Sequence, residues 1–266
     1  MSVTLTDGQN AAVGFGMGVV EISAMQPMNY WKNARQQSLP LSCHPRLLYR
    51  GYVPSALNMS CTTMAQCAIA GKVKQWLTGG DIRALSPGEH LLAGVVGGVA
   101  SAPLITSPLE LLMTQQQRKG GHVVHHLRQL AGRNLMRGAI PTMGREGVWA
   151  TAYLVLPSVL RPYLRHSFPH VFPSDTAAMV PTSLLAAGFA CALTQPLDTI
   201  KTCMQGDVEQ VQYRGFVDTI RKLFHESGVS RFYRGTAYRY GRMVGGVFLM
   251  DKVRMHLTRW MEEVSV

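Results

Sequence analysis

Pro196-Leu197-Asp198-Thr199-Ile200-Lys201 closes a run from Thr176 to Leu197 that holds no Asp, Glu, Lys or Arg, and Gln205 follows it. A proline near the end of an apolar helix frees a backbone carbonyl and bends the axis. An acid and a base three residues apart then share one helical face just beyond the bend. Many soluble helices produce such a P-x-D-x-x-K pattern by chance, as an intrahelical surface pair. Recurrence along the chain decides what it means.

The pattern recurs in weakened form. Pro27-Met28-Asn29-Tyr30-Trp31-Lys32 leads to Gln36, and Pro108-Leu109-Glu110-Leu111-Leu112-Met113 leads to Gln117. In all three stretches a glutamine lies nine residues after the proline, and the prolines are 81 and 88 residues apart. A second mark has nearly the same period: Tyr49-Arg50-Gly51, Met136-Arg137-Gly138 and Tyr233-Arg234-Gly235. Internal repetition outranks any local motif as a fold signal. It predicts one domain of three repeats, over about 11–80, 88–170 and 176–262.

Composition narrows the class. Of the 266 residues, 15% are charged, the net charge is +11 and the mean hydropathy is +0.05. A soluble domain carries roughly 25% charged residues. Low charge with a basic excess describes a chain that hides much of its surface from water and meets something anionic, nucleic acid or lipid. Nucleic-acid binding needs a basic face with interleaved aromatics, whereas the Lys and Arg here sit in connections between apolar segments, so it is excluded. The cysteines (Cys43, Cys61, Cys67, Cys191, Cys203) form no C-x-x-C pair and read as reduced packing thiols. No Lys or Arg precedes Lys32, so neither a secretory n-region nor an Arg-rich transit peptide is visible.

Six apolar segments follow in order. After a polar tail over 1–10, Ala11–Trp31 is apolar apart from Glu21 and carries Gly14, Gly16 and Gly18, read as close helix contacts rather than a nucleotide loop. Tyr52–Gly71, Leu91–Leu109, Val148–Leu160 and Thr176–Leu197 lack formal charge, and Thr236 to about Leu257 is interrupted by Arg239, Arg242 and Asp251. Twenty such residues span roughly 30 Å of hydrocarbon. His122, His125 and His126 have no carboxylate or cysteine partner nearby in sequence and read as a solvated loop, not a metal site. Phe216–His225 reads as an amphipathic segment. A soluble all-α bundle is the competing reading, but the connections inside the repeats (33–50, 114–137, 202–234) hold 13 of the 26 Lys and Arg residues, and those between repeats (72–90, 161–175) hold five. Basic loops segregated to one side are what the positive-inside rule expects of six spans.

On these residues the chain resembles the mitochondrial carrier family: three repeats of two transmembrane helices, each with P-x-[DE]-x-x-[KR] and a later aromatic-[KR]-Gly. The third repeat is close to that pattern and the first two have drifted. The resemblance implies an all-α inner-membrane protein, with helices kinked at Pro27, Pro108 and Pro196. It also implies a matrix gate in which Glu110 meets Lys201 and Asp198 meets Lys32, braced by Gln36, Gln117 and Gln205. The remaining pair is Asn29 with Met113, both uncharged, so two departures from the pattern fall on one expected bridge. Asp198 and Lys201 are then expected to point at different neighbours rather than at each other. Anionic lipid such as cardiolipin is expected at the Arg-Gly corners near Gly51, Gly138 and Gly235, with no other cofactor.

The opposite gate is poorer. Ala70-Gly71 with Lys74 and Pro157-Ser158 with Arg161 keep a base and lack the acid, and Met250-Asp251-Lys252-Val253-Arg254 retains one acid in an uncertain register. Substrate contacts of the family fall here on Asn58, Arg145 and Arg242, with Glu146 beside Arg145 as in carriers of amino acids; structural pairing of Arg145 with Glu146 is the alternative. No nucleophile and base arrangement of an enzyme is present. Two functions are expected from the resemblance. One is alternating-access exchange of a small anionic or zwitterionic, amino-acid-like metabolite. The other is a transport-impaired structural subunit of a respiratory or other inner-membrane complex, motivated by the missing bridge, the depleted outer gate and the short first-repeat connection.

Overall fold

The computed structural model describes residues 7–79, 86–130, 135–246 and 249. Among them there is no strand. Helix α1 is Asp7–Gln36, α2 Pro45–Leu48 and α3 Tyr52–Thr78. α4 (Pro87–Ser101) runs through a π-turn (Ala102–Thr106) into α5 (Ser107–Lys119), and α6 is Val123–Leu130. α7 is Ala139–Ser167, α8 Asp175–Gly206 and α9 Phe216–Ser227; a 3-10 turn over Gly228–Tyr233 leads into α10, helical over 236–246.

The chain is an all-α membrane protein of six transmembrane helices: α1, α3, α4 with α5, α7, α8 and α10. Two of them, Gly88–Lys119 and Val180–Gly206, are apolar enough to cross a membrane by composition alone. The others are diluted by polar side chains turned toward neighbours, such as Asn58, Thr62 and Gln66 on α3, which bond to α3 itself, α4–α5 and α7. That dilution is why mean hydropathy sits near zero in a membrane protein.

Local chemistry sets the ends and bends. Ser86 caps α4: its hydroxyl accepts from Glu89 N at 3.3 Å while Glu89 Oε2 accepts from Ser86 N at 2.8 Å. Pro103 lies in the π-turn and Pro108 just after it, where two missing N–H donors are absorbed by a wider turn. Pro27 and Pro196 lie inside α1 and α8. Helices α3, α7 and α10 each follow a glycine at positive φ: Gly51 at 76°, Gly138 at 83° and Gly235 at 86°.

Packing closes a ring. α1 packs on α3, α3 on α4, α4 on α7, and α7 on α8. α10 completes it, with Gly241 and Gly245 against Met28 and Met25 of α1, and Gly188 of α8 against Tyr240. Gly18 lies against Met59 and Ser60 of α3, a close helix contact as expected.

Two local expectations are corrected. Of the expected polar tail over 1–10, the described part, from Asp7 on, belongs to α1. Of the histidines, His122 is exposed outside any helix as expected, whereas His125 and His126 belong to α6 and His126 is buried with Nε2 2.6 Å from Gly120 O, using a carbonyl left free past the end of α5. The expected outer-gate stretch 250–254, with Met255 and Thr258, lies outside the described residues.

Candidate functional site

The bends at Pro27, Pro108 and Pro196 bring the lower halves of α1, α5 and α8 together at one end of the ring. Three hydrogen bonds, one per repeat, pin each bend to its partner helix. Gln26 Nε2 donates to Arg50 O at 3.1 Å, Ser107 Oγ to Arg137 O at 3.4 Å, and Gln195 Nε2 to Arg234 O at 3.2 Å. Each donor is the residue just before the bend proline, and each acceptor is the arginine of an Arg-Gly corner. The corners fit closely against the next helix of the ring. A side chain at Gly51 would stand 2.9 Å from Met113 O, and at Gly138 3.1 Å from Gln205 Cγ.

Inside this collar lies a buried ion cluster. Lys32 Nζ donates to Asp198 Oδ2 at 2.7 Å, joining α1 to α8. Lys201 Nζ lies 3.0 Å from Glu110 Oε1, joining α8 to α5. Lys201 also lies 3.3 Å from Asp198 Oδ1 in its own helix, so these two residues face each other as well as their separate neighbours. With Asp198 at 0% and Lys201 at 1% exposure, this is not a surface pair. Removing one partner from such a site strands a charge, at about 3–5 kcal/mol.

Arg145 of α7 enters the same cluster. Its guanidinium lies 3.1 Å from Glu110 Oε1 and 3.6 Å from Asp198 Oδ1, and it bonds to Glu146. Glu146 Oε2 in turn accepts from Gln66 Nε2 of α3 at 3.1 Å. Three cations (Lys32, Lys201, Arg145) therefore meet three carboxylates (Glu110, Asp198, Glu146), and the buried guanidinium of Arg239 adds its field to Asp198 and Lys32.

The third seam, between α1 and α5, is neutral. Asn29 Nδ2 donates to Met113 Sδ at 3.3 Å, a weak acceptor, and one turn on Asn33 Nδ2 donates to Gln117 Oε1 at 2.7 Å. The three glutamines differ. Gln36 Nε2 donates to Asp198 Oδ2 at 2.8 Å and braces the Lys32 pair. Gln205 does not reach an ion pair; its amide donates to the carbonyls of Ser107 and Arg137 at 3.2 and 3.4 Å, the second of which also accepts from Ser107 Oγ. Gln117 bonds to Asn33, because its seam has no charge to brace.

Of the residues expected at a substrate site, Arg145 and Glu146 are drawn into the cluster. Asn58 accepts from Thr62 of its own helix at 3.1 Å. Arg242 of α10 lies 3.6 Å from Glu21 Oε1 of α1. Arg239, one turn from Arg242, is buried and donates to Thr194 Oγ1 at 2.8 Å and Gln195 Oε1 at 3.2 Å. Sequence reasoning passed over Glu21 and Arg239, although an isolated charge in an apolar span is itself a signal. It also passed over Gln26, Ser107 and Gln195, whose signal is a hydrogen-bonding residue before each repeated proline. No group of three or more His, Cys, Asp or Glu residues that could hold a metal occurs among the described residues.

The outer face of the collar is held at the third corner by Arg231. It is buried, donates from Nε to Glu226 Oε2 at 2.6 Å and from Nη1 to Gln36 O at 2.8 Å. It thereby tethers the end of α1 beside the cluster. Tyr213 donates to Glu226 Oε1 at 2.9 Å, and burial, with Cys203 and Glu226 beside it, pushes its phenol above the usual range.

Six membrane-crossing helices in a ring, closed at one end by ion pairs between three proline-kinked helices, define an integral membrane protein of the solute-carrier type. The model for "Mitochondrial carrier protein" matches residues 173–259. The chain is 28% identical to a mitochondrial glycine transporter of Yarrowia lipolytica, over 86% of this chain and 87% of that one. It is 30% identical to mitochondrial citrate transporter B of Aspergillus niger, over 61% of this chain and 58% of that one. With the electrogenic aspartate/glutamate antiporter of Homo sapiens it shares 29% identity over 73% of this chain, which spans 29% of that longer protein. The chain belongs to the mitochondrial carrier family and is an integral protein of the mitochondrial inner membrane. The names of these relatives describe transporters, and nothing in them supports the respiratory-subunit reading.

Proposed function

We propose that the protein exchanges a small carboxylate-bearing metabolite across the inner membrane by alternating access, with the buried cluster as its matrix gate. The observation that carries this reading is the cluster itself. Three cations and three carboxylates from α1, α5, α7 and α8 are collected at the one level where the kinked helices converge. A static bundle gains little from such an arrangement, since well-packed apolar residues would do as well or better. A gate that must open gains a set of contacts that a bound anion competes for. Arg145 supports this coupling, because it touches both Glu110 and Asp198. A substrate carboxylate that takes Arg145 weakens both charged seams at once. Two states separated by a few kcal/mol then interconvert with substrate.

Anionic lipid headgroups are proposed at the Arg-Gly corners near Gly51, Gly138 and Gly235. A cavity of about 410 Å³ lined by Arg35, Ser38, Leu39, Arg234 and Gly235 supports this at the third corner. Purified protein in cardiolipin-containing liposomes is expected to take up a labelled metabolite only when the interior holds an exchangeable one. Folded protein that exchanges nothing across a panel of amino acids and di- and tricarboxylates would overturn the reading.

A further inference from the structure

Arg239 of α10 is the fourth cation beside the gate, and among the described residues it forms no ion pair, although it is 4% exposed. Its guanidinium instead donates to two neutral oxygens, Thr194 Oγ1 at 2.8 Å and Gln195 Oε1 at 3.2 Å. A buried cation without a carboxylate is an expensive way to hold two helices together, since a neutral donor would do the same. Its position gives it a use. Thr194 lies four residues before Asp198 and shares its face of α8. Arg239 therefore stands one turn from the carboxylate on which the gate converges, and its field reaches Lys32 as well as Asp198.

The groups that neutralise Asp198 divide by repeat. Lys32 and Gln36 reach Oδ2 from α1, and Arg145 approaches Oδ1 from α7. Those contacts cross to other repeats and are lost when the matrix end opens. Lys201 and Arg239 stay with Asp198. Lys201 belongs to the same helix, and α10 follows a corner bonded to α8, where Gln195 donates to Arg234 O and Thr199 Oγ1 donates to Phe232 O at 2.6 Å. Once Lys32 and Gln36 withdraw, Oδ2 has lost both its bonds. A charge stranded in that way slows the opening of an ion-pair gate. We infer that Arg239 is a positioning residue for gate opening: it repels Lys32 while the gate is closed and takes over the Asp198 carboxylate as Lys32 leaves. It acts through Asp198 and touches no substrate. This rests on the carrier reading above and adds to it a residue that sets how fast the gate opens.

The test compares wild-type protein, Arg239→Gln and Arg239→Lys in proteoliposomes. The probes are labelled glycine and labelled malate, then the rest of the panel above, and rates are read on whichever of them wild-type protein exchanges. Arg239→Gln keeps a donor for Thr194 and Gln195 and loses the charge. It is expected to lower kcat at least tenfold with KM within twofold, as for an interaction made only on the way to the open state. Arg239→Lys keeps the charge and is expected to hold kcat within threefold of wild type. A second readout follows the gate itself. Cys203 is 1% exposed and donates from Sγ to Gln36 O at 3.2 Å across the seam between α8 and α1, so a thiol reagent reaches it only when that seam parts. Substrate-stimulated labelling of Cys203, located by peptide mass spectrometry, is expected to fall with kcat in Arg239→Gln. A raised KM with kcat retained makes Arg239 a substrate contact and overturns the inference. Equal losses in Arg239→Lys and Arg239→Gln mark a structural role and overturn it too. Should Arg239→Gln not fold, Arg239→Lys decides: kcat and Cys203 labelling within threefold of wild type support the inference, and a tenfold loss of either overturns it. Each of these outcomes leaves the carrier reading standing; a wild-type protein that exchanges nothing overturns that reading and this inference with it.

Discussion

The seams that α8 makes with α1 and α5 are charged and crowded, whereas the seam between α1 and α5 is neutral and thin. Asp198 and Lys201 supply both charged seams from one turn of helix, and Arg145 ties them together. The neutral seam holds one amide-to-thioether contact and one amide pair. Both partners of an ion pair are absent there, and that is the mild way to lose one: removing a single partner would strand the other in a buried site. The comparison teaches that closure of this end is concentrated on one helix rather than shared equally among three.

The largest expected effect follows from that concentration. Asp198→Asn removes the carboxylate that faces Lys32, Lys201 and Arg145, and is expected to cost about 3–5 kcal/mol, read by thermal unfolding of the purified protein. Asn29→Asp places a buried carboxylate where no cation waits, and by the same argument as for Asp198→Asn it should cost about 3–5 kcal/mol. Adding Met113→Lys to that variant should recover the loss and slow exchange, because a third charged seam then has to open. A smaller effect is expected from Gly51→Ala on the neutral side. The φ of 76° disfavours a side chain, and the new methyl would meet Met113 O at 2.9 Å. A left-handed residue costs about 1–2 kcal/mol, so a loss near 2 kcal/mol is expected.

Much of this was legible in the sequence because the repeats carry it. A proline and a glutamine recur at constant spacing three times and the acid and the base twice each, and the family resemblance these marks carry implies the pairing of Lys32 with Asp198 and of Glu110 with Lys201. Residues without a threefold echo were hidden. Arg145 reads from spacing as a substrate contact, because nothing in one-dimensional order shows that the kinked helices crowd beneath it. Glu21 is a single letter in an apolar run, and its partner lies 221 residues away. Gln205 shares its spacing with Gln36 but not its role, since its amide finds the carbonyls of Ser107 and Arg137 first. Ends of helices were also displaced, because caps and close glycine contacts carried helices past the uncharged runs that hydropathy marks.

The most direct test of unequal seams is a pair of double-mutant cycles, Lys32 with Asp198 and Asn29 with Met113, each truncated to alanine singly and together and read by thermal unfolding. Coupling between contacting residues runs to about 0.5–3 kcal/mol. The account predicts a coupling in the upper half of that range for Lys32 with Asp198, and one at or below its lower edge for Asn29 with Met113. Equal couplings, or the larger one at the neutral seam, would contradict it.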